Sequence, residues 1–353
     1  MGIHPSVLKN IRHVTPYVPG EQPQRKVIKL NTNENPYPPA PGVRKMLEEF
    51  RTDALRLYPD PASELLTEEL ARFYEVEKEQ VFPGVGSDDV LSLCFLTFFN
   101  SEKPILFPDI TYSFYKVWAE LYRIPYRCPK LDKEFRMNRE DYYQENGGII
   151  FPNPNAPTAV YEELEFIEDI LEHNQESVVI VDEAYVDFAG KSALELIERY
   201  DNLLVVQTFS KARSMAGMRI CYAIGNKELI RYLNDVKYSF NSYTLNQLSL
   251  ICGAEAVRDR AYFEKNIRRI IQTREKAKGE LANLGFVFPD AKANFIFATH
   301  PDYSAEELFL ALKKADIYVR HWNSERIREY LRITIGTEEE MRILFDFLKH
   351  YIK

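Results

Sequence analysis

A chain of 353 residues, 45% hydrophobic and 28% charged, has the length of about two domains and an ordinary globular composition. Its formal net charge of −8 excludes a general nucleic-acid or anionic-membrane surface, since both need a positive field. Four dispersed cysteines with no CxxC pair, and six histidines without HxxxH or HExxH spacing, point to reduced thiols in a cytoplasmic protein without a metal site.

The opening residues hold no long apolar run, so neither a signal peptide nor a membrane span is expected. Turn formers crowd HVTPYVPGEQPQ and NTNENPYPPAPG, which read as an extended arm. From about Leu65, short apolar runs alternate with helical patterns. The runs are KPILF, GGIIF, SVVIV, NLLVV and RICYAI. The helical patterns between them are DDVLSLCFLTFF, YSFYKVWAELY, VYEELEFIEDILEH and ALELIERY. Strands apolar throughout, alternating with amphipathic helices, predict a mostly parallel sheet covered on both faces. After about Arg258 the pattern changes to a long charged helix ending at Gly285. The strands NFIFAT, IYVRHW and YLRITIG follow, with the helices SAEELFLALKKA and TEEEMRILFDFLKHY. That is a second, α+β unit.

Ligands of open α/β sheets bind beyond the carboxyl ends of the strands, so the residues that follow each run carry the functional reading. PGVGSDDV, with Gly86, Ser87 and Asp88, opens a helix after the run at Val81 and suits an anion such as phosphate. Tyr112 follows ILF and could stack on a planar ring. PNPNAPTAV is dense in side-chain amides. Asp182 ends VVIV, where a buried carboxylate needs a cation or strong donors, and Tyr185 follows it. Lys211 sits where LLVV gives way to QTFSKARSMAGMR. A lysine in a dry site loses its proton readily and forms a Schiff base. A structural ion pair between Lys211 and Asp182 is the plainer alternative, but it leaves Ser210 and Arg219 unexplained. A lysine, a carboxylate, a tyrosine, a stacking aromatic and an anion cradle together meet the needs of pyridoxal phosphate.

On these motifs the chain resembles the fold type I, class II pyridoxal-phosphate-dependent aminotransferases. Within them it is most similar to the histidinol-phosphate group. The likeness runs through HVTPY, NENPY, LYPDP, GVGSDD, TYSFY, NPNAPT, DEAYVDF, TFSKARSMAGMR, VRHW and LRITIGT. It implies a large domain over 46–258 with a seven-stranded sheet. It also implies a small domain over 259–353 that takes in part of the arm at 1–45. Carried over by position, Lys211 holds the cofactor, Asp182 partners its ring nitrogen, Tyr185 its ring hydroxyl, and Tyr112 its face. Gly86, Ser87, Asp88, Ser210 and Arg219 hold its phosphate. Tyr58 reaches the neighbouring subunit's cofactor, which implies a homodimer with shared sites. Tyr17, Arg320 and Arg332 receive the acidic groups of a phosphorylated amino alcohol and of 2-oxoglutarate or glutamate. One motif departs from the family: Ala156 stands where an asparagine is usual, which leaves Tyr185 alone at the ring hydroxyl unless Asn155 turns in. An aromatic aminotransferase and a threonine-phosphate decarboxylase share the fold and remain open. The complete lysine, aspartate and arginine set favours chemistry over a ligand-sensing domain.

Overall fold

The computed structural model describes residues 2–352. A single helical turn, α1 (Pro5–Leu8), precedes an extended run to the short strand β1 (Ile28–Lys29). Helices α2 (Pro41–Glu49) and α3 (Glu64–Tyr74) follow. The alternating region then gives β2 (Val81–Gly84), α4 (Ser87–Phe98), β3 (Ile105–Leu106), α5 (Phe114–Tyr122), β4 (Tyr126–Arg127) and β5 (Ile149–Pro152). It continues through α6 (Leu164–His173), β6 (Val179–Asp182), β7 (Leu203–Thr208) and β8 (Cys221–Gly225). Three helices come next: α7 (Lys227–Phe240), α8 (Gln247–Arg258) and α9 (Arg260–Asn283). The last elements are β9 (Phe295–Ala298), α10 (Ala305–Lys314), β10 (Ile317–Tyr318), β11 (Arg320–His321), β12 (Leu331–Thr334) and α11 (Glu338–Tyr351).

Seven strands form one sheet in the order β2-β8-β7-β6-β5-β3-β4. One strand, β8, the predicted run RICYAI, runs opposite to the other six. The central strands explain why the apolar runs lack alternation. Ile149, Phe151, Val179, Val181, Leu203 and Val205 pack on one face with Ile167 and Ile170 of α6. Ile150, Ile180, Leu204 and Val206 pack on the other with Val90 and Phe95 of α4 and Trp118 of α5. Each strand therefore buries both of its faces under helices. This stacking aligns the ends of β2, β5, β6 and β7, where the motif residues begin.

ALELIERY does not form the expected helix. It makes one 3₁₀ turn, Ala193–Leu196, in which Ser192 caps Leu194 N–H. Eight residues with a helical pattern seldom overcome the cost of nucleation. Helix α9 buries Phe263, Ile270, Ala277 and Leu281 along one stripe and stops before Gly285, whose φ of +86° glycine adopts without strain. IYVRHW splits in two. Its first half, β10, pairs in parallel with β1. Its second half, β11, joins the antiparallel sheet β11-β12-β9. The segment after β1 bridges them: Leu30 N–H donates to Tyr318 O, and Leu30 O accepts from Thr334 N–H. Chain start and chain end thus share one wall beside the large sheet.

Candidate active site

Asp182 closes β6 with only 4% of its surface exposed. Tyr115 Oη donates to Asp182 Oδ2 at 2.7 Å, and Ala184 N–H donates to Oδ1 at 3.2 Å. Burial pushes the carboxyl up to about 6, and these two donors hold it from rising further. Tyr115 was not singled out from sequence; it lies three residues beyond Tyr112, on the inner face of α5. Next to Asp182, the buried Glu183 accepts from Ser192 Oγ, Ala193 N–H and Gln207 Nε2, which braces the turn after β6.

Lys211 follows β7 and donates from Nζ to Thr32 O at 2.9 Å. The expected alternative, an ion pair with Asp182, is not formed. Burial pushes the Lys211 ammonium down to about 8, Arg332 adds to the push, and Glu34 opposes it. Against its ordinary 10.5, the share of free amine at neutral pH rises roughly 300-fold. The loop carrying the lysine is pinned on both sides. Asn35 Nδ2 donates to the carbonyls of Lys211 and Ala212. The Arg213 guanidinium lies 4.0 Å from the Phe263 ring and 4.7 Å from the Phe73 ring.

The cradle at the start of α4 is equally well defined. Gly86 has φ +91°, and a Cβ there would stand 2.3 Å from Arg219 Nη2, so glycine lets the guanidinium close over the helix start. First-turn N–H groups such as those of Ser87 and Asp88 have no acceptor within their own helix and favour anions. Asp88 accepts from Tyr112 Oη at 2.7 Å and meets Arg219 at 3.4 Å. Arg219 itself is in the left-handed region, φ 53°, and also donates to Ala216 O. The buried Ser210 accepts from Thr208 Oγ1 at 3.1 Å.

Arg320 and Arg332 are direct cross-strand partners in β11 and β12. Like charges placed opposite each other destabilise a sheet, and neither guanidinium has an ion-pair partner among the described residues. Arg332 donates to Asn31 O at 2.9 Å, its Nε is buried without a partner, and it lies 5.1 Å from the Trp322 ring. Arg320 donates to Val18 O. Burial, with Arg320 adding to it, pushes the Arg332 guanidinium below its usual range. Tyr17 stacks on Phe114 at 4.3 Å and reaches Tyr112 at 6.5 Å, so the arm covers the same face.

Two expected residues stand apart. Tyr58 is 81% exposed and stacks on Tyr243 at 4.6 Å, outside the cluster. Asn155 is buried, with Nδ2 committed to Ile110 O and Thr158 Oγ1, both at 3.0 Å. Tyr185 accepts instead from Asn33 Nδ2 at 3.0 Å. Asn33 belongs to a segment noted only as a family motif, and no local pattern in the sequence marks it as a partner of Tyr185.

This donor set fits pyridoxal phosphate. The cluster holds a carboxylate at a strand end and an amine of lowered basicity. It also holds a glycine-bearing helix start with an arginine closed over it, a setting that suits an anion such as phosphate. No helix among the described residues is long and apolar enough to cross a membrane, and no three or more of their His, Cys, Asp or Glu side chains are grouped to hold a metal ion.

Residues 25–348 match the family described as aminotransferase class I and II. The chain is 54% identical over 345 residues to the histidinol-phosphate aminotransferase of Lactococcus lactis subsp. lactis (strain IL1403), covering 98% of this chain and 96% of that one. It is 51% identical over 342 residues to the histidinol-phosphate aminotransferase of Clostridium botulinum (strain Kyoto / Type A2), covering 97% of each. The histidinol-phosphate aminotransferase of Sinorhizobium meliloti, solved in complex with pyridoxal-5′-phosphate, superposes with a TM-score of 0.83 at 19% identity. That match covers 93% of this chain and 92% of that one, and at such identity it speaks for the fold alone. With a pyridoxal-phosphate fold, a family match spanning most of its length and relatives more than half identical to it, the chain belongs to the class I and II aminotransferases, which use pyridoxal phosphate.

Proposed function

We propose that this transaminase moves the amino group of L-histidinol phosphate to 2-oxoglutarate, giving imidazole-acetol phosphate and L-glutamate. The observation that carries the reading is the Arg320–Arg332 pair, two arginines at facing strand positions with no ion-pair partner among the described residues. Such a pair suits a phosphate ester and a dicarboxylate in turn through forked, charge-assisted hydrogen bonds. The names of the relatives point to the same substrate.

In this reading Lys211 holds the cofactor covalently between turnovers, and Asp182 keeps its ring nitrogen protonated. Tyr112 and Tyr185 serve its face and its ring hydroxyl. Ser210, Arg219 and the start of α4 with Gly86, Ser87 and Asp88 take its phosphate. Bound pyridoxal phosphate supplies an electron sink for charge developing at the substrate α-carbon. With that sink in place, the Lys211 amine would act as general base toward the proton on that carbon. Arg332 and Arg320, with Tyr17 above them, hold the substrate's acidic end, and the arm excludes water from that side. The committed amide of Asn155 gives it a supporting role for the loop. The exposure of Tyr58 supports a homodimer in which this ring completes the partner's site. The reading places the large cofactor-binding domain at 46–258 and the small one at 259–353, the latter sharing the segment around β1.

The test is a substrate panel with the purified chain: histidinol phosphate, phenylalanine, aspartate and threonine phosphate, each scored for amino transfer and for carbon dioxide release. Histidinol phosphate should lead in kcat/KM by roughly 100-fold or more, the discrimination that polar, fully paired sites reach. Lys211→Ala should remove both turnover and visible absorbance. Faster release of carbon dioxide from threonine phosphate than amino transfer from histidinol phosphate would overturn the proposal.

A further inference from the structure

The NPNAPTA loop presents no amide to Tyr185. Ala156 has only a methyl group, and both N–H groups of Asn155 are spent on Ile110 O and Thr158 Oγ1. Tyr185 nonetheless receives an amide proton, from Asn33 at 3.0 Å and from 152 residues away in sequence. Asn33 is 1% exposed and holds φ 57°, a left-handed backbone that asparagine tolerates better than most side chains.

The hydrogen bonds around Asn33 run in one direction. Its main-chain N–H can only donate, and it does so to Thr334 Oγ1 at 3.0 Å. The Thr334 hydroxyl turns its own proton to Asn33 Oδ1 at 3.0 Å. With Oδ1 filled as an acceptor, the amide N–H is the end that faces Tyr185. Asn294 Nδ2 meanwhile donates to Asn33 O at 3.0 Å, which fixes the peptide. A tyrosine oxygen that accepts from Asn33 keeps its own proton for another acceptor, and no side chain among the described residues takes it.

We propose that Asn33 is a positioning residue of the pyridoxal-phosphate site, holding the Tyr185 hydroxyl as a donor toward the bound ring in place of the amide absent at Ala156. The inference rests on Tyr185 facing that ring, as proposed above. It also gives Thr334 a purpose. That residue lies two positions after Arg332 in β12, so the strand carrying the substrate-binding arginine is tied to the group that addresses the cofactor.

Two readouts other than turnover test it: the holoenzyme's visible absorption band and the Kd for pyridoxal phosphate added back to stripped protein. Tyr185→Phe sets the scale. Asn33→Asp is nearly isosteric and still accepts from Thr334, but its carboxylate claims the Tyr185 proton for itself. It should therefore reproduce the band shift of Tyr185→Phe and weaken cofactor binding roughly three- to tenfold, the loss of one hydrogen bond. Combined with Tyr185→Phe it should add nothing. A purely structural role would instead lower thermal stability while leaving the band in place. If Asn33→Asp keeps the native band and Kd while Tyr185→Phe moves both, the inference is overturned and the site assignment stands. If Tyr185→Phe moves neither, the assignment and the inference fall together. Should Asn33→Asp not fold, Asn33→Ala decides by the same criteria, with a shift of the same direction and smaller size.

Discussion

Replacing Tyr115 by phenylalanine deletes one hydroxyl from a fully buried ring. That hydroxyl is one of two donors to Asp182; the other is Ala184 N–H. Burial, with Asp88 adding to it, has already raised Asp182 from its ordinary 3.8 to about 6. A hydrogen bond to a charged group contributes about 1.5–3 kcal/mol, and 1.36 kcal/mol corresponds to one pH unit. Titration of Asp182 should therefore move up by about 1–2 pH units in the variant. An aspartate about nine-tenths ionised at pH 7 falls to between about one-half and one-tenth. A neutral carboxyl no longer favours a proton on the cofactor's ring nitrogen, so affinity for pyridoxal phosphate at pH 7 should drop about two- to tenfold. The stability profile carries the same signature. Because the folded chain holds this proton more tightly than the unfolded one, Asp182 makes the cofactor-free protein less stable as pH rises from 3.8 to about 6, and level above. In Tyr115→Phe the decline should continue to about 7–8. Urea unfolding of the cofactor-free protein across pH, with the pyridoxal phosphate Kd at pH 7, measures both. A decline ending at the native pH together with an unchanged Kd would refute the reasoning.

Arg332→Ala should raise the apparent KM for both substrates by roughly 30-fold or more, the cost of truncating a buried charged contact, and leave the visible band in place. Equal KM values for variant and native protein would remove Arg332 from the substrate site. Mixing Tyr58→Ala with Lys211→Ala, each nearly inactive alone, should restore up to about one quarter of native turnover through mixed dimers holding one intact site. No recovery on mixing would end the shared-site reading.

The parts legible in the sequence are those whose chemistry is local. Asp182, Lys211 and Gly86 each sit where an apolar run stops, and the sheet that buries those runs brings the three stops to one edge. Arg332 was readable because a cation within an alternating apolar strand has few idle roles. Tyr115 was not, because its apolar ring fits the helix pattern of α5 and its hydroxyl acts across 67 residues on Asp182. Asn33 was hidden for the same reason, since its partners are Tyr185 and Thr334. The split of IYVRHW escaped notice because a six-residue strand pattern does not reveal that its halves join different sheets. RICYAI read like its neighbours, since a strand buried on both faces has the same composition whichever way it runs.

The contacts around Lys211 also have a consequence for how the protein is made. The amine is capped by Thr32, and the peptide at Asn33 is held by Asn294 and Thr334. The strand just before them, β1, pairs with β10, Ile28 with Ile317, so these residues wait for partners translated long after them. The seven-stranded sheet is complete once residue 225 is available, so the core can form well before the wall that closes over the lysine. During that interval the reactive amine stands at a strand end with neither its cap nor its arginine neighbour. Long-range closure of this kind is the slow step expected of such a topology. Cofactor capture during synthesis is therefore bounded by translation of the final strand, and a chain stalled before Thr334 carries the lysine without the site.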